Sequence, residues 1–315
     1  MLNRLNLKPK TLNLFNLIRY KNLLVIVLTQ LLVKYAVLEP FGVNTSLDIF
    51  SISLLILSTV CIAAAGNIIN DIYDVETDTI NKPSKVIIGR HISEKAAFNL
   101  FIALNLVGVC IGFYISHLVG KSAFFSVFVI ISALLYVYAS YLKRLFLIGN
   151  IVISILVALS LLIIGLFDLL PGITPENQHI QLSVFKIIFY YAAFAFIINL
   201  IREMVKDIED IKGDSKSGMH TLPIIIGTTK AKRVVFALII ITIITISYYV
   251  IHLLYKNLIA SGYFLLFIIG PLIYISIKSL SASTKQHFHH ISTVLKLVMV
   301  FGLLSLLLYK YILLK

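Results

Sequence analysis

The chain has 315 residues, of which 59% are hydrophobic and only 13% charged, and its mean hydropathy is +0.99. That balance excludes an ordinary soluble domain and reads as an integral membrane protein. The formal charge of +13 raises nucleic acid as a partner, but the basic residues lie in alternate connections between apolar runs, which argues against it.

The first segment, residues 1–21, is basic and dotted with leucine (Arg4, Lys8, Lys10, Arg19 and Lys21; Leu2, Leu5, Leu7, Leu12 and Leu14). It reads as an amphipathic stretch on the membrane surface. No small-residue cleavage site follows the first apolar run, so a removed signal peptide is not expected. Apolar runs then follow at 22–38, 47–69, 96–118, 122–142, 145–167, 184–201, 234–255, 258–277 and 294–314. These make nine candidate transmembrane helices, most of them about 20 residues long, the length a helix needs to cross a bilayer. They lack the apolar/polar alternation of barrel strands. Cys61 and Cys110 both fall inside runs and read as small core residues rather than a disulfide framework.

Lys and Arg collect at the N-terminus, at 82–95, at Lys143-Arg144, at 202–233 and at Lys278 and Lys285, whereas the connection from Asp168 to Gln181 has none. With nine spans those are alternate connections. The positive-inside rule therefore predicts a cytoplasmic N-terminus and an outer C-terminus in the cell membrane. One single domain is expected over 1–315.

Acidic residues number only 14, yet four fall within 71–78 and five within 203–214. Asp71, Asp74 and Asp78 are spaced i, i+3, i+7, as are Asp207, Asp210 and Asp214, so on a helix each set shares one stripe. Asn70, Asp74 and Asp78 would drift about 40° and rise about 6 Å per step. Like charges so crowded need a cation, and all-oxygen ligands suit Mg2+, which completes its shell with water and substrate phosphates. The candidate metal ligands are Asn70, Asp71, Asp74, Asp78, Asp207, Asp210 and Asp214. Two ions bridged to one diphosphate are expected. The two clusters follow spans two and six, so a weak parallel repeat would set the stripes face to face across a central cavity.

Cations accompany both clusters. Lys85, Arg90, Lys143, Arg202 and Lys206 are the candidate diphosphate ligands, because negative charge develops on a departing diphosphate as its carbon–oxygen bond breaks. Asp74, Asp78, Asp207, Asp210, Tyr138 and Lys143 are the candidate catalytic residues. Tyr138 is chosen for the π-face that a carbocation favours, against the aromatic-belt role of most interfacial tyrosines. His287, His289 and His290 suggest a metal, but their loop contains no acidic partner, and they read as interfacial residues.

The run Asn70-Asp71-x-x-Asp74-x-x-x-Asp78 followed by Asn81-Lys82-Pro83 resembles the first signature of the UbiA superfamily of intramembrane prenyltransferases. The run from Arg202 to Asp214, continuing to Gly218 and Thr221-Leu222-Pro223, resembles the second, and Tyr138 to Arg144 is similar to the family's Tyr…Lys motif. The resemblance spans the whole chain. It implies an all-α membrane protein, a nine-helix UbiA-type bundle with a central cavity, and Mg2+-dependent transfer of an isoprenoid from a prenyl diphosphate donor to a lipophilic acceptor among membrane lipids. The second run is most similar to the branch that joins a geranylgeranyl group to the hydroxyl of geranylgeranylglyceryl phosphate, forming an ether lipid. Val86-Ile87-Ile88-Gly89-Arg90 departs from that branch, which has a proline-containing Arg-Pro-Ile-Pro run there. An aromatic acceptor, as in quinone or chlorophyll synthesis, is the alternative within the family. A cation transporter is the alternative outside it, opposed by the near absence of acids within the spans.

Overall fold

In the computed structural model, which describes residues 10–313, the described chain is helical with no strand. Thirteen α-helices succeed one another: α1 (Lys10–Leu17), α2 (Tyr20–Leu32), α3 (Ile49–Tyr73), α4 (Val75–Asn81), α5 (Glu94–Leu118), α6 (Phe125–Ser140), α7 (Ile148–Ile164), α8 (Gln178–Lys216), α9 (Leu222–Ile226), α10 (Thr228–Tyr249), α11 (Leu258–Phe264), α12 (Gly270–Ser281) and α13 (Lys285–Leu304). Short π-helical turns extend several of them, at Val33–Leu38, Gly165–Leu169, Val250–Leu254 and Leu265–Ile269. Joined by these turns, nine helical segments among the described residues are long and apolar enough to cross a membrane. The protein is therefore a multi-pass membrane protein. Of the expected N-terminal surface segment, α1 and the residues that follow it are described. Arg4, Lys8, Leu2, Leu5 and Leu7 lie outside the described residues.

The chain divides into two compact units. One comprises the residues up to Val27 with Phe50–Ser140, the other Leu28–Ile49 with Tyr141 onward. In the first, Leu17, Ile68, Ile88 and Ala97 form a buried apolar cluster that ties α1 to α3 and to the turn before α5. The Ser58 hydroxyl donates to the Gly108 carbonyl at 2.6 Å, a polar link between α3 and α5 of the kind that joins helices where solvent is lipid. Cys61 is buried as expected, but Cys110 is exposed on α5. A cysteine in a span faces lipid as readily as protein, because both environments are apolar.

In the second unit, α8, α10, α12 and α13 pack around a core that includes Ile198, Val235, Leu272 and Leu295. A Cβ at Gly302 of α13 would collide with the Phe194 ring of α8. A small residue is what permits that close approach. Three chain segments converge on a buried ion pair. Lys34 Nζ lies 2.8 Å from Asp168 Oδ2 and donates to the Leu47 carbonyl at 2.8 Å, while Asp168 Oδ1 accepts from the Leu47 amide at 2.8 Å. Both side chains are sealed from solvent (4% and 0% exposed), so each charge is compensated by its partner and by backbone groups.

The sixth apolar run, expected over 184–201, is the middle of a 39-residue helix. At 1.5 Å per residue α8 is about 58 Å long, roughly twice the hydrocarbon thickness. It therefore carries the second acidic run on the same uninterrupted rod as the span. The helix stops at Gly218, whose φ of +67° suits glycine, with the Met219 amide returning to the Asp214 carbonyl at 3.0 Å.

Candidate functional site

The first acidic run sits where one helix gives way to another. α3 ends at Tyr73 and α4 begins at Val75, with Asp74 at φ −92° and ψ −1°. The bonds from Asp74 N to Asn70 O (3.0 Å) and from Asp78 N to Asp74 O (2.8 Å) carry the helical repeat through the junction. The expected stripe of Asn70, Asp74 and Asp78 is thus preserved across a local irregularity. Asn70 Nδ2 donates to Asp74 Oδ2 at 2.7 Å, and both side chains are buried. Asn70, expected as an oxygen ligand, here directs an N–H at the Asp74 carboxylate.

Asp71 has a different partner from Asp74. Arg19, on the short link between α1 and α2, meets Asp71 at 2.6 Å. Burial opposes the charge on Arg19, but Asp71, Asp74 and Asp78 outweigh it and hold its pKa above the ordinary value. The guanidinium reaches there from a left-handed backbone conformation (φ +54°), which is uncommon for a side-chain-bearing residue. Asp71 and Asp78 line a small pocket with Lys85 and residues 86–88. Of the cations expected beside this run, Lys85 therefore joins the carboxylates. Arg90 donates instead to the Pro83 carbonyl at 2.7 Å and stays exposed. The departing run Val86–Arg90 forms a tight turn closed by the Gly89 amide on the Ile92 carbonyl, 2.9 Å, with Gly89 at φ +80°. Tyr138, in the same unit, is buried near the end of α6.

The second acidic run lies wholly on α8. Asp214 is buried, and Asp207 Oδ2 accepts from Asn150 Nδ2 of α7 at 2.8 Å. Asn150 belongs to a relay: its carbonyl accepts from the Ser154 hydroxyl (2.6 Å), whose oxygen accepts from the Asn199 amide (3.2 Å). The arrangement pins α7 against α8 at the Asp207 level and orients that carboxylate. Glu203 gathers both expected cations, with Arg202 at 3.0 Å and Lys206 at 3.0 Å. Asp210 lies 3.6 Å from Lys285 at the start of α13. His289 meets Glu209 at 3.2 Å. The loop itself contains no acid, as expected, and the partner of His289 comes from α8, 80 positions away. Lys143 sits in the 3-10 turn Leu142–Arg144. The start of α7 presses against it, and a Cβ at Gly149 would come within 2.7 Å of the Lys143 Cα.

Among the described residues no three carboxylate, His or Cys side chains converge into a ready-made metal cage. Carboxylates grouped on one face with neighbouring cations, but not closed around a point, suit Mg2+, which is held by one or two carboxylates plus water and substrate phosphate. Arg19, Asn150 and Lys285 are the polar partners of the two runs that sequence reasoning missed. Asn150 left a signal, being an amide inside an apolar run, whereas Arg19 and Lys285 looked like ordinary interfacial cations.

Comparison with known proteins bears on the same residues. A digeranylgeranylglyceryl phosphate synthase from Methanosphaera stadtmanae is 35% identical over 256 residues, 80% of this chain and 86% of that one. A solved structure described as that of a digeranylgeranylglyceryl phosphate synthase in membranes superposes with a TM-score of 0.60 at 25% identity, covering 96% of this chain and 99% of that one. A UbiA homologue from Archaeoglobus fulgidus, bound to GPP and Mg2+, has the same fold at a TM-score of 0.55 and 17% identity, over 93% of this chain and 99% of its own. Residues 32–294, which contain both acidic runs, match the UbiA prenyltransferase family, and the chain belongs to that family as an integral-membrane prenyltransferase.

Proposed function

We propose that the enzyme transfers a geranylgeranyl group from its diphosphate to the hydroxyl of geranylgeranylglyceryl phosphate, forming the second ether bond of a lipid. The observation that carries the reading is the pair of matched carboxylate runs, each with its own cations: Lys85 beside Asp71 and Asp78, and Arg202 and Lys206 beside Glu203. The similarity of this chain to a digeranylgeranylglyceryl phosphate synthase over 80% of its length supports the choice of substrates.

In this reading Asp74, Asp78, Asp207 and Asp210 hold Mg2+, with Asn70 and Asn150 orienting the carboxylates beside them. Mg2+, when bound, offsets the charge that develops on the diphosphate. Lys85, Arg202 and Lys206 supply fixed positive charge to the same group. Lys143 is assigned to the leaving oxygen and the Tyr138 ring to the allylic cation. As the donor carbon–oxygen bond breaks, the acceptor hydroxyl oxygen gives its lone pair to the allylic carbon. Its proton passes to diphosphate or a carboxylate. An alcohol asks less of the protein than an aromatic ring, which must be held face-on and often deprotonated first. The spans let both prenyl chains remain in an apolar medium while the charged groups stay at a polar rim, which we place on the cytoplasmic side from the distribution of Lys and Arg.

A donor-by-acceptor panel read by mass spectrometry tests the assignment. Geranylgeranyl diphosphate with the glyceryl phosphate lipid is expected to give the doubly alkylated product. Prenylation of an aromatic acid with none of the glyceryl phosphate lipid would replace the acceptor while leaving the family unchanged.

A further inference from the structure

A second polar pocket lies in the unit formed by Leu28–Ile49 and Tyr141 onward, where α12 ends and α13 begins. It has a volume of about 100 Å3, and Tyr274, Lys278, His287 and His290 line it together with Ala282 and Ile291. No carboxylate is among the lining residues. His290 Nε2 lies 3.1 Å from the Tyr274 hydroxyl, and the Lys278 ammonium sits 5.9 Å from the Tyr274 ring centre. Lys278 makes no ion pair among the described residues. His287 is held by the Ser283 amide at its Nδ1 (3.4 Å), so its other ring nitrogen is available to a ligand. Lys232 adds positive charge behind the Ala282 wall by donating to the Leu280 and Ala282 carbonyls at 3.1 and 3.0 Å. His289, the neighbour on the same turn, is turned to Glu209 and takes no part.

From this we infer that the pocket binds a phosphate monoester, carried at the head of a membrane lipid. One ammonium, two imidazoles and a phenol, with no acidic residue, match a compact tetrahedral oxyanion that accepts several hydrogen bonds at once. The apolar neighbourhood identifies the carrier. On α12, Ile273, Ile277 and Leu280 are exposed (47%, 67% and 45%) and spaced i, i+4, i+7, so they form a stripe that shares the helix with Lys278. A lipid whose phosphate sits in the pocket would lay its chain along that stripe. The residues stand at the ends of two candidate spans, Leu258–Ser281 and Lys285–Tyr311, the depth at which a bilayer keeps its phosphates. The proposed acceptor is itself a phosphate monoester of a lipid, but none of the lining residues belongs to the acidic runs, so the inference rests on this pocket alone.

Native mass spectrometry of the full-length protein in detergent tests it, with phosphatidic acid, phosphatidylcholine of the same chains and inorganic phosphate as probes. The wild-type protein is expected to retain phosphatidic acid over phosphatidylcholine by about tenfold or more. The double variant Lys278→Gln/His290→Gln is expected to lose that preference, and Lys278→Arg to keep it. Retention of phosphatidic acid against millimolar inorganic phosphate assigns the site to the lipid. Its displacement by the free ion, still dependent on Lys278, assigns the same site to unattached phosphate. Equal retention of the two lipids by the wild type, or an unchanged preference in the double variant, overturns the inference.

Discussion

At the scale of single residues the account turns on how each carboxylate is held. Asp71 is bound to Arg19 at 2.6 Å, whereas Asp74 takes an N–H from Asn70 at 2.7 Å and Asp207 takes one from Asn150 at 2.8 Å. An amide orients a carboxylate without cancelling its charge, and a guanidinium cancels it. Asp71 accordingly has its charge offset directly by a guanidinium. Asn150 is the clearest test of orientation. Asn150→Ala should reduce activity about 10- to 100-fold, the range typical when the group orienting a metal ligand is lost. The loss should appear as a raised Mg2+ requirement, with maximal activity largely recovered at saturating Mg2+. An unchanged Mg2+ dependence would mean that Asn150 only packs α7 on α8.

Among elements, the buried cross-link is the Lys34–Asp168 pair, which joins the π-turn after α2, the loop before α3 and the π-turn after α7. Lys34→Met should destabilise the protein by about 3–5 kcal/mol, because it strands a buried carboxylate. The double change Lys34→Met/Asp168→Leu should recover much of that loss. Thermal unfolding in detergent reads both, and a double variant no more stable than the single one would show that the pair is not the source. Neither this pair nor Arg19–Asp71 was legible from sequence, because their partners lie 134 and 52 positions apart and nothing local marks them. The spans were legible, since an apolar run of sufficient length has few alternatives. Their ends were not. The C-terminal half of α8 is rich in charge, and only its continuity with the span shows that Asp207, Asp210 and Asp214 ride on one rigid rod. The break at Asp74 was likewise hidden, as Asn70 to Asp78 has the spacing of an unbroken helix. The partner of His289 was hidden for a related reason. Their own loop is free of acids, and Glu209 reaches His289 from another helix.

For the whole molecule, nine apolar helical segments among the described residues belong to a membrane prenyltransferase whose few acids concentrate in two short runs. The central claim is that both runs hold Mg2+ for one prenyl transfer. The most direct measurement is acceptor-dependent diphosphate release by the purified protein with geranylgeranyl diphosphate and geranylgeranylglyceryl phosphate, in wild type and in Asp74→Asn and Asp207→Asn separately. The account predicts release by the wild type that EDTA abolishes and Mg2+ restores, and a loss of about a hundredfold or more in each variant with the helical content unchanged. Full release in EDTA, or near-normal turnover in either variant, would contradict it.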